Sequence, residues 1–154
     1  MPDLRKATFN DQAGVLALYR ELRPNDPEIP AARVPALWAA VTDSTRSSIF
    51  IASVDGEVAA TCMLATVANL ASDGRPIGLI EHVITAGRYR RRGLARLLLE
   101  HALKEAWHIG CCKVLLLSGM QRTEAHGLYE SVGFRGDVER GFVAKPGAAM
   151  GAQA

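Results

Sequence analysis

The sequence predicts an α/β protein built on a mixed sheet, and three stretches carry that expectation. Residues 80–85 read as a buried strand that passes through the basic turn Arg88-Tyr89-Arg90-Arg91-Arg92-Gly93 into a helix running beyond Glu100. Asp55-Gly56, between two apolar runs, is a strong signal for a two-residue hairpin. Residues 113–118 are almost continuously apolar, as in a strand covered on both faces.

Residues 3–7 alternate and read as a first strand, after which Thr8 or Asn10 supplies a helix N-cap. Val15, Leu16, Leu18, Tyr19 and Leu22 keep helical spacing until Pro24 stops the helix. Residues 23–30 form a proline-rich loop. A second helix over about 32–41 turns Val34, Leu37, Trp38 and Val41 inward. Residues 48–54 and 57–68 pair across the hairpin, 69–76 make a polar loop, and 77–85 complete a three-strand meander. The helix over 93–108 carries an apolar stripe of Leu94, Leu97, Leu98, Ala102, Leu103, Ala106 and Ile109, with Gly110 as its C′ residue. After the strand at 113–118 come a short helix at 124–132 and two final strands, at 134–135 and 141–145. The tail at 147–154 is small and polar and is expected to fray.

Composition bounds the function. With 154 residues, 49% of them hydrophobic and 22% charged, the chain has the makings of a single soluble domain with a sizeable core. A net charge of +2 does not suggest nucleic acid as a partner; the positive charge is concentrated in residues 88–96, which suits a compact anion better than an extended one. No run approaches the ~18 apolar residues of a membrane span, and the first residues lack an apolar signal region. Cys62, Cys111 and Cys112 are odd in number and lack Cys-x-x-Cys spacing, which points to a reduced, cytoplasmic setting. His82, His101, His108 and His126 show no metal-ligand spacing with the cysteines, so no metal is expected.

The basic turn is the chemical focus. Glycine lets backbone approach a ligand closely, and a helix N-terminus presents unpaired N–H groups at the positive end of the macrodipole. Arg88, Arg90, Arg91 and Arg92 add cations whose planar forks match phosphate oxygens. The turn is therefore expected to hold a pyrophosphate, the alternative being a helix start on a basic surface. It is neither a Walker A loop nor a dinucleotide fingerprint, since Gly-Lys-Ser/Thr and Gly-x-Gly-x-x-Gly are both absent there.

The pattern Arg90-x-x-Gly93-x-Ala95 resembles the acyl-coenzyme A pyrophosphate loop of the GCN5-related N-acetyltransferases, the GNAT superfamily. A second segment, from Glu124 through Leu128-Tyr129 to Gly133-Phe134, is similar to that family's Asn-x-x-Ala-x-x-Leu/Phe-Tyr-x-x-x-Gly-Phe motif. The resemblance covers about residues 3–146 and implies the GNAT fold: about seven strands and four helices in one domain over 1–154, with strands four and five (77–85 and 113–118) splayed apart.

The resemblance also implies acetyl-CoA as the co-substrate and assigns residues to it. Backbone groups of Val83, Ile84 and Thr85 would hold its pantetheine, and Arg90, Arg91, Arg92, Gly93, Leu94, Ala95 and Arg96 its pyrophosphate. Tyr129 matches the family's general acid; a phenol with a reference pKa near 10 is protonated at neutral pH and can donate. By residue type alone it could equally be a half-buried aromatic. The family's coenzyme-contacting asparagine is replaced by Arg122, which donates but cannot accept.

Glu81 and His82 are candidates to deprotonate an acceptor amine. Strand alternation sets Glu81 with Val83 and Thr85 and favours it over His82, unless either side chain only bonds neighbouring backbone. Glucosamine-6-phosphate acetyltransferases have Glu-Asp where this chain has Glu81-His82, so that substrate is not implied. Tyr19 and Arg23 are candidates for acceptor recognition, although Arg23 could simply cap the end of its helix. Trp38 and Trp107 are expected in the core, and Cys111 and Cys112 are expected to be inert. The expected activity is transfer of acetyl from acetyl-CoA to a primary amine of a small molecule. A homodimer through residues 138–145 is expected, and the alternative is a catalytically inactive coenzyme A-binding sensor or interaction module.

Overall fold

The first strand, β1 (Asp3–Lys6), ends in a polar knot that starts the first helix. Thr8 is extended, and both its N–H and its hydroxyl donate to Asp11 Oδ2, at 2.7 and 3.0 Å. Thr8, rather than Asn10, is therefore the residue that closes the helix start. Arg5 grips the same carboxylate in bidentate fashion, Nη1 donating to Oδ2 at 2.7 Å and Nη2 to Oδ1 at 3.0 Å. A 3₁₀ turn at Phe9–Asp11 leads into α1 (Gln12–Leu22), and a second at Ala31–Arg33 into α2 (Val34–Thr42). Pro35 lies in the first turn of α2, where a missing N–H costs nothing.

Beyond α2 come β2 (Ser47–Val54), β3 (Glu57–Val67) and β4 (Ile77–Thr85). Asp55 and Gly56 both take positive φ, at 51° and 81°, as the mirror-image hairpin turn requires. α3 (Leu94–Ile109) comes next, then β5 (Lys113–Leu116) and α4 (Thr123–Ser131). This computed structural model describes residues 1–147. The sheet order is β1-β2-β3-β4-β5, antiparallel except for the parallel pair β4–β5 that α3 connects.

Residues 1–116 form one compact unit with helices on both faces of the sheet. Ile49 and Ile51 point to α1 and α2, where they cluster with Val15 and Trp38. Phe50, between them, points the other way, and its ring meets His101 of α3 edge-on at 5.0 Å. α1 lies close to the sheet at Gly14, where an added Cβ would stand 2.7 Å from Val58 Cγ2. Any side chain there would push the helix off β3.

Several expectations are corrected within this unit. Leu97 and Ile109 of the predicted stripe are exposed, whereas Leu99 is fully buried, because the face of α3 turned to the sheet is centred on Leu94, Leu98, Leu99, Ala102 and Ala106. Leu37 is exposed on α2. Trp38 is core at 6% exposure, but Trp107 is 52% exposed on the outer side of α3. β5 stops at Leu116, two residues early.

From Leu117 the chain forms a second compact unit. Arg122 caps α4 with its backbone, its N–H donating to the Gly119 carbonyl (3.0 Å) and its own carbonyl accepting from His126 N–H (3.1 Å). The helix closes with Val132 and Phe134 N–H groups on the Tyr129 carbonyl, at 3.2 and 3.0 Å. The strands expected at 134–135 and 141–145 do not form, so the described residues contain five strands rather than seven. Arg135 instead clasps Asp137 in a bidentate pair, at 3.1 and 2.9 Å, and Val138, Phe142 and Val143 are exposed. Two short strands without a covered apolar face are marginal in water. The tail expected to fray lies, from residue 148, outside the described residues.

Candidate active site

The parallel pairing of β4 with β5 begins at Ile77 opposite Lys113 and ends at Ile80 opposite Leu116. β4 continues to Thr85, so residues 81–85 have no strand partner on that edge among the described residues. The stretch holding Val83, Ile84 and Thr85 therefore has an open strand edge on that side, with the Thr85 carbonyl accepting from Arg90 Nε. This is the opening expected between strands four and five.

The turn beyond it gathers unpaired donors and positive charge. Gly87–Tyr89 make a 3₁₀ turn, and Arg91 and Gly93 then take left-handed φ of 62° and 75°. Left-handed residues flanking ordinary ones turn successive N–H groups into a shared concavity that attracts anions. The N–H groups of Gly93, Leu94, Ala95 and Arg96 have no backbone acceptor among the described residues, as the first turn of a helix requires. A non-glycine residue with positive φ is uncommon, and Arg91 adopts it beside this nest of donors.

The arginines divide into two groups. Arg88 is ion-paired with Glu57, and Arg96 with Glu100 at 2.9 Å. Arg90 Nε bonds the Thr85 carbonyl at 3.3 Å, and its guanidinium lies 4.0 Å from Glu21. Arg91 and Arg92 have no carboxylate within ion-pair distance among the described residues. They are the two cations of the turn left for a ligand.

β4 also contains a bulge that breaks the expected alternation. Met63 lies opposite Glu81, but Thr61 lies opposite Ile84, so three steps on β4 match two on β3. His82 absorbs the extra residue at φ 55°. Glu81 consequently shares a face with Ile84 rather than with Val83 and Thr85, and the parity that would group those three does not hold. That face is the α1 side: Met63 packs with Val15 and Trp38, and Ile84 with Leu18. The His82 ring also turns there, 5.0 Å from the ring of Tyr19. Both candidate bases thus belong to one face.

Tyr19 is partly buried against this cluster, and burial of its phenol pushes the pKa up to about 12, so it stays protonated. Its hydroxyl has no hydrogen-bond partner among the described residues, and neither do Trp38 Nε1 and Gln12 Nε2. A buried donor left unpaired costs about 1–3 kcal/mol, so a ligand oxygen arriving there would be welcome. Arg23 is the C-cap of α1, its backbone N–H donating to the Tyr19 carbonyl at 2.9 Å, while its side-chain Nε bonds Asp26 at 2.7 Å within the proline-rich loop. Burial also raises the Cys62 thiol to about 12 and lifts Cys111 above its ordinary value, which keeps both unreactive.

In the second unit Tyr129 is 8% exposed, more buried than expected, with its ring edge-on to Phe134 at 6.2 Å. The Arg122 side chain lies along Gly119. A separate cleft of about 590 Å³ lies between α1, the hairpin tip and residues 86–88. Its carboxylates are already engaged, with Asp11 on Arg5, Glu57 on Arg88 and Glu21 on the Gly87 N–H. Sequence reasoning missed Glu57 and Tyr89, which hydrogen-bond at 2.8 Å. The available signal was a tyrosine set among four arginines.

Among the described residues no cluster of three or more His, Cys, Asp or Glu side chains could hold a metal, and no helix is long and apolar enough to cross a membrane. No curated protein matches the chain. Three solved structures are similar to it. A candidate acetyltransferase from Agrobacterium tumefaciens is 37% identical, with a TM-score of 0.87 over 93% of this chain and 99% of that one. Glucosamine-6-phosphate N-acetyltransferase from Arabidopsis thaliana is 19% identical, with a TM-score of 0.82 over 94% and 97%. A protein from Clostridium acetobutylicum solved with acetyl-CoA is 19% identical, with a TM-score of 0.73 over 94% and 96%. The last two share the fold. The acetyltransferase (GNAT) family model matches residues 14–134, covering the interrupted strand pairing, the arginine turn and α4. With that match, and the Agrobacterium relative alongside it, the chain belongs to the GNAT acetyltransferase family.

Proposed function

We propose that this protein transfers the acetyl group of acetyl-CoA to a primary amine of a small molecule by direct attack on the thioester. The observation that carries the reading is the junction of an unpaired strand edge at 81–85 with a left-handed turn whose N–H groups and two arginines lack partners. The residues fit the coenzyme: the edge suits its pantetheine, and the turn, with Arg91 and Arg92, suits its pyrophosphate.

In this reading Glu81, with His82 as the other candidate, accepts a proton from the acceptor amine. N–H groups along 83–85 stabilise charge that develops on the thioester oxygen. By family resemblance Tyr129 donates its phenolic proton to the departing thiolate, while Tyr19 and the loop bearing Arg23 contact the acceptor. The unpaired Tyr19 hydroxyl beside His82 supports that placement. The family match extends across residue 116, which supports treating the chain as one catalytic domain; a cytoplasmic location, suggested by the odd number of cysteines, belongs to the same proposal. A homodimer through residues 138–145 belongs to the same proposal; Phe142 and Val143 are exposed there.

Calorimetric titration with acetyl-CoA tests the coenzyme site. Wild type should bind, and an Arg91→Glu/Gly93→Asp double variant should bind about 100-fold more weakly or not at all, having lost charge-assisted contacts and gained like charge. Absence of binding by wild type would sink the acetyltransferase reading. Arg122, standing where the family has asparagine, keeps a coenzyme-binding sensor as the second reading. Tyr129→Phe separates the two: turnover should fall about 100-fold with coenzyme affinity retained if the phenol is the acid. Retained turnover, or none in wild type despite tight binding, would count against that role.

A further inference from the structure

Arg88 and Arg92 lie over the same ring, their guanidinium carbons 5.0 and 5.3 Å from the Tyr89 centroid. Two cations on one ring repel unless one is neutralised. Glu57 does this: its Oε2 accepts from both Arg88 and the Tyr89 hydroxyl, the latter at 2.8 Å. Glu57 is the first residue of β3 and directly follows the Asp55-Gly56 turn, so hairpin geometry sets its position. A backbone bond from Ala86 N–H to the Ala59 carbonyl, 2.8 Å, ties the same strand to the start of the arginine turn. The carboxylate thus stops Arg88 and fixes the tilt of Tyr89, while Arg92 keeps a ring to rest on and no anion.

We infer that Glu57 is a positioning residue for the coenzyme: by holding Arg88 and Tyr89, it presents Arg92 as an unpaired cation to a coenzyme phosphate. This rests on the acetyl-CoA reading above. The hairpin tip, remote in sequence from the phosphate turn, becomes part of its binding machinery.

The sign of one substitution separates positioning from bystander charge. Glu57→Gln removes a negative charge near an anion site, so a bystander Glu57 predicts equal or tighter coenzyme binding. Positioning predicts the opposite, a Kd for acetyl-CoA raised about fivefold, the scale of losing one exposed cation–π contact. Calorimetric titrations of wild type, Glu57→Gln, Tyr89→Phe, Arg92→Ala and Glu57→Gln/Arg92→Ala, at one ionic strength, complete the test. Tyr89→Phe keeps the ring, loses the anchor, and should fall between wild type and Glu57→Gln. The double variant should bind no more weakly than Arg92→Ala alone, since Glu57 acts through Arg92. A general structural role would instead make the two losses add. Thermal melting should show all variants folded, as Glu57 and Arg88 are exposed. If wild type binds and Glu57→Gln binds as well or better, or the losses add, this inference is overturned alone. If wild type does not bind, the coenzyme reading falls and takes this one with it.

Discussion

Two regions of the same unit that bear arginine are built in opposite ways. At the β1–α1 junction Asp11 is buried and fully matched, receiving two bonds from Arg5 and two from Thr8. At the turn after β4, the Gly93–Arg96 N–H groups and the Arg91 and Arg92 side chains are left unmatched, and the backbone is left-handed at two positions. The first region spends its polar groups on architecture, so its charges are silent to ligands. The second holds donors and cations apart with Glu57, Thr85 and Tyr89 and leaves them unmatched, as the proposed coenzyme site needs. Charge by itself does not identify a site; unmatched charge does.

That contrast can be broken most directly at Asp11. Asp11→Asn should cost about 2 kcal/mol of stability, the scale of hydrogen bonds to a charged group, and leave the Kd for acetyl-CoA unchanged. Chemical denaturation measures the first and calorimetry the second; a change in Kd would join the two regions. The Arg5 bonds hold the Asp11 carboxyl below its ordinary value, with the Thr8 bonds adding to them and burial opposing. Its contribution is therefore complete above the unfolded carboxylate range and is lost as pH falls through the lower folded value. Wild-type stability should drop in that acid window, and Asp11→Asn should show a shallower drop there.

Arg91→Ala comes next in size. It should weaken acetyl-CoA binding about tenfold while leaving the melting temperature unmoved, because the side chain has no carboxylate partner to lose. A loss of stability with unchanged affinity would reverse the roles of the two regions. The smallest effect is expected at Arg23, whose ion pair with Asp26 is more than half exposed on both sides. Arg23→Ala should alter stability by less than about 0.5 kcal/mol. A large rise in the KM of an accepted amine would then assign Arg23 to acceptor binding.

Much of this was readable from residues because the signals are local. Asp55-Gly56 can form its turn with little help, Gly93 and Gly110 bracket α3 at left-handed φ, and the apolar runs on either side of the Asp55-Gly56 turn mark β2 and β3. Other features depend on partners distant in sequence. The expected strands at 134–135 and 141–145 had the right residues and found no sheet to join. Trp38 and Trp107 are alike as residues, yet one is sealed by Ile49 and Val15 while the other faces outward on α3.

Sequence alone determined the element order from β1 to α4, the family and the place of the arginine turn, since hydrophobic period, turn chemistry and glycine placement act over a few residues. Only the tertiary structure decided three things. The bulge opposite Cys62 put Glu81 and His82 on one face, β5 stopped at Leu116 and left an open edge, and Glu57 came to rest on Arg88 and Tyr89. Each depends on the register between strands, which many side chains set together and no single stretch encodes.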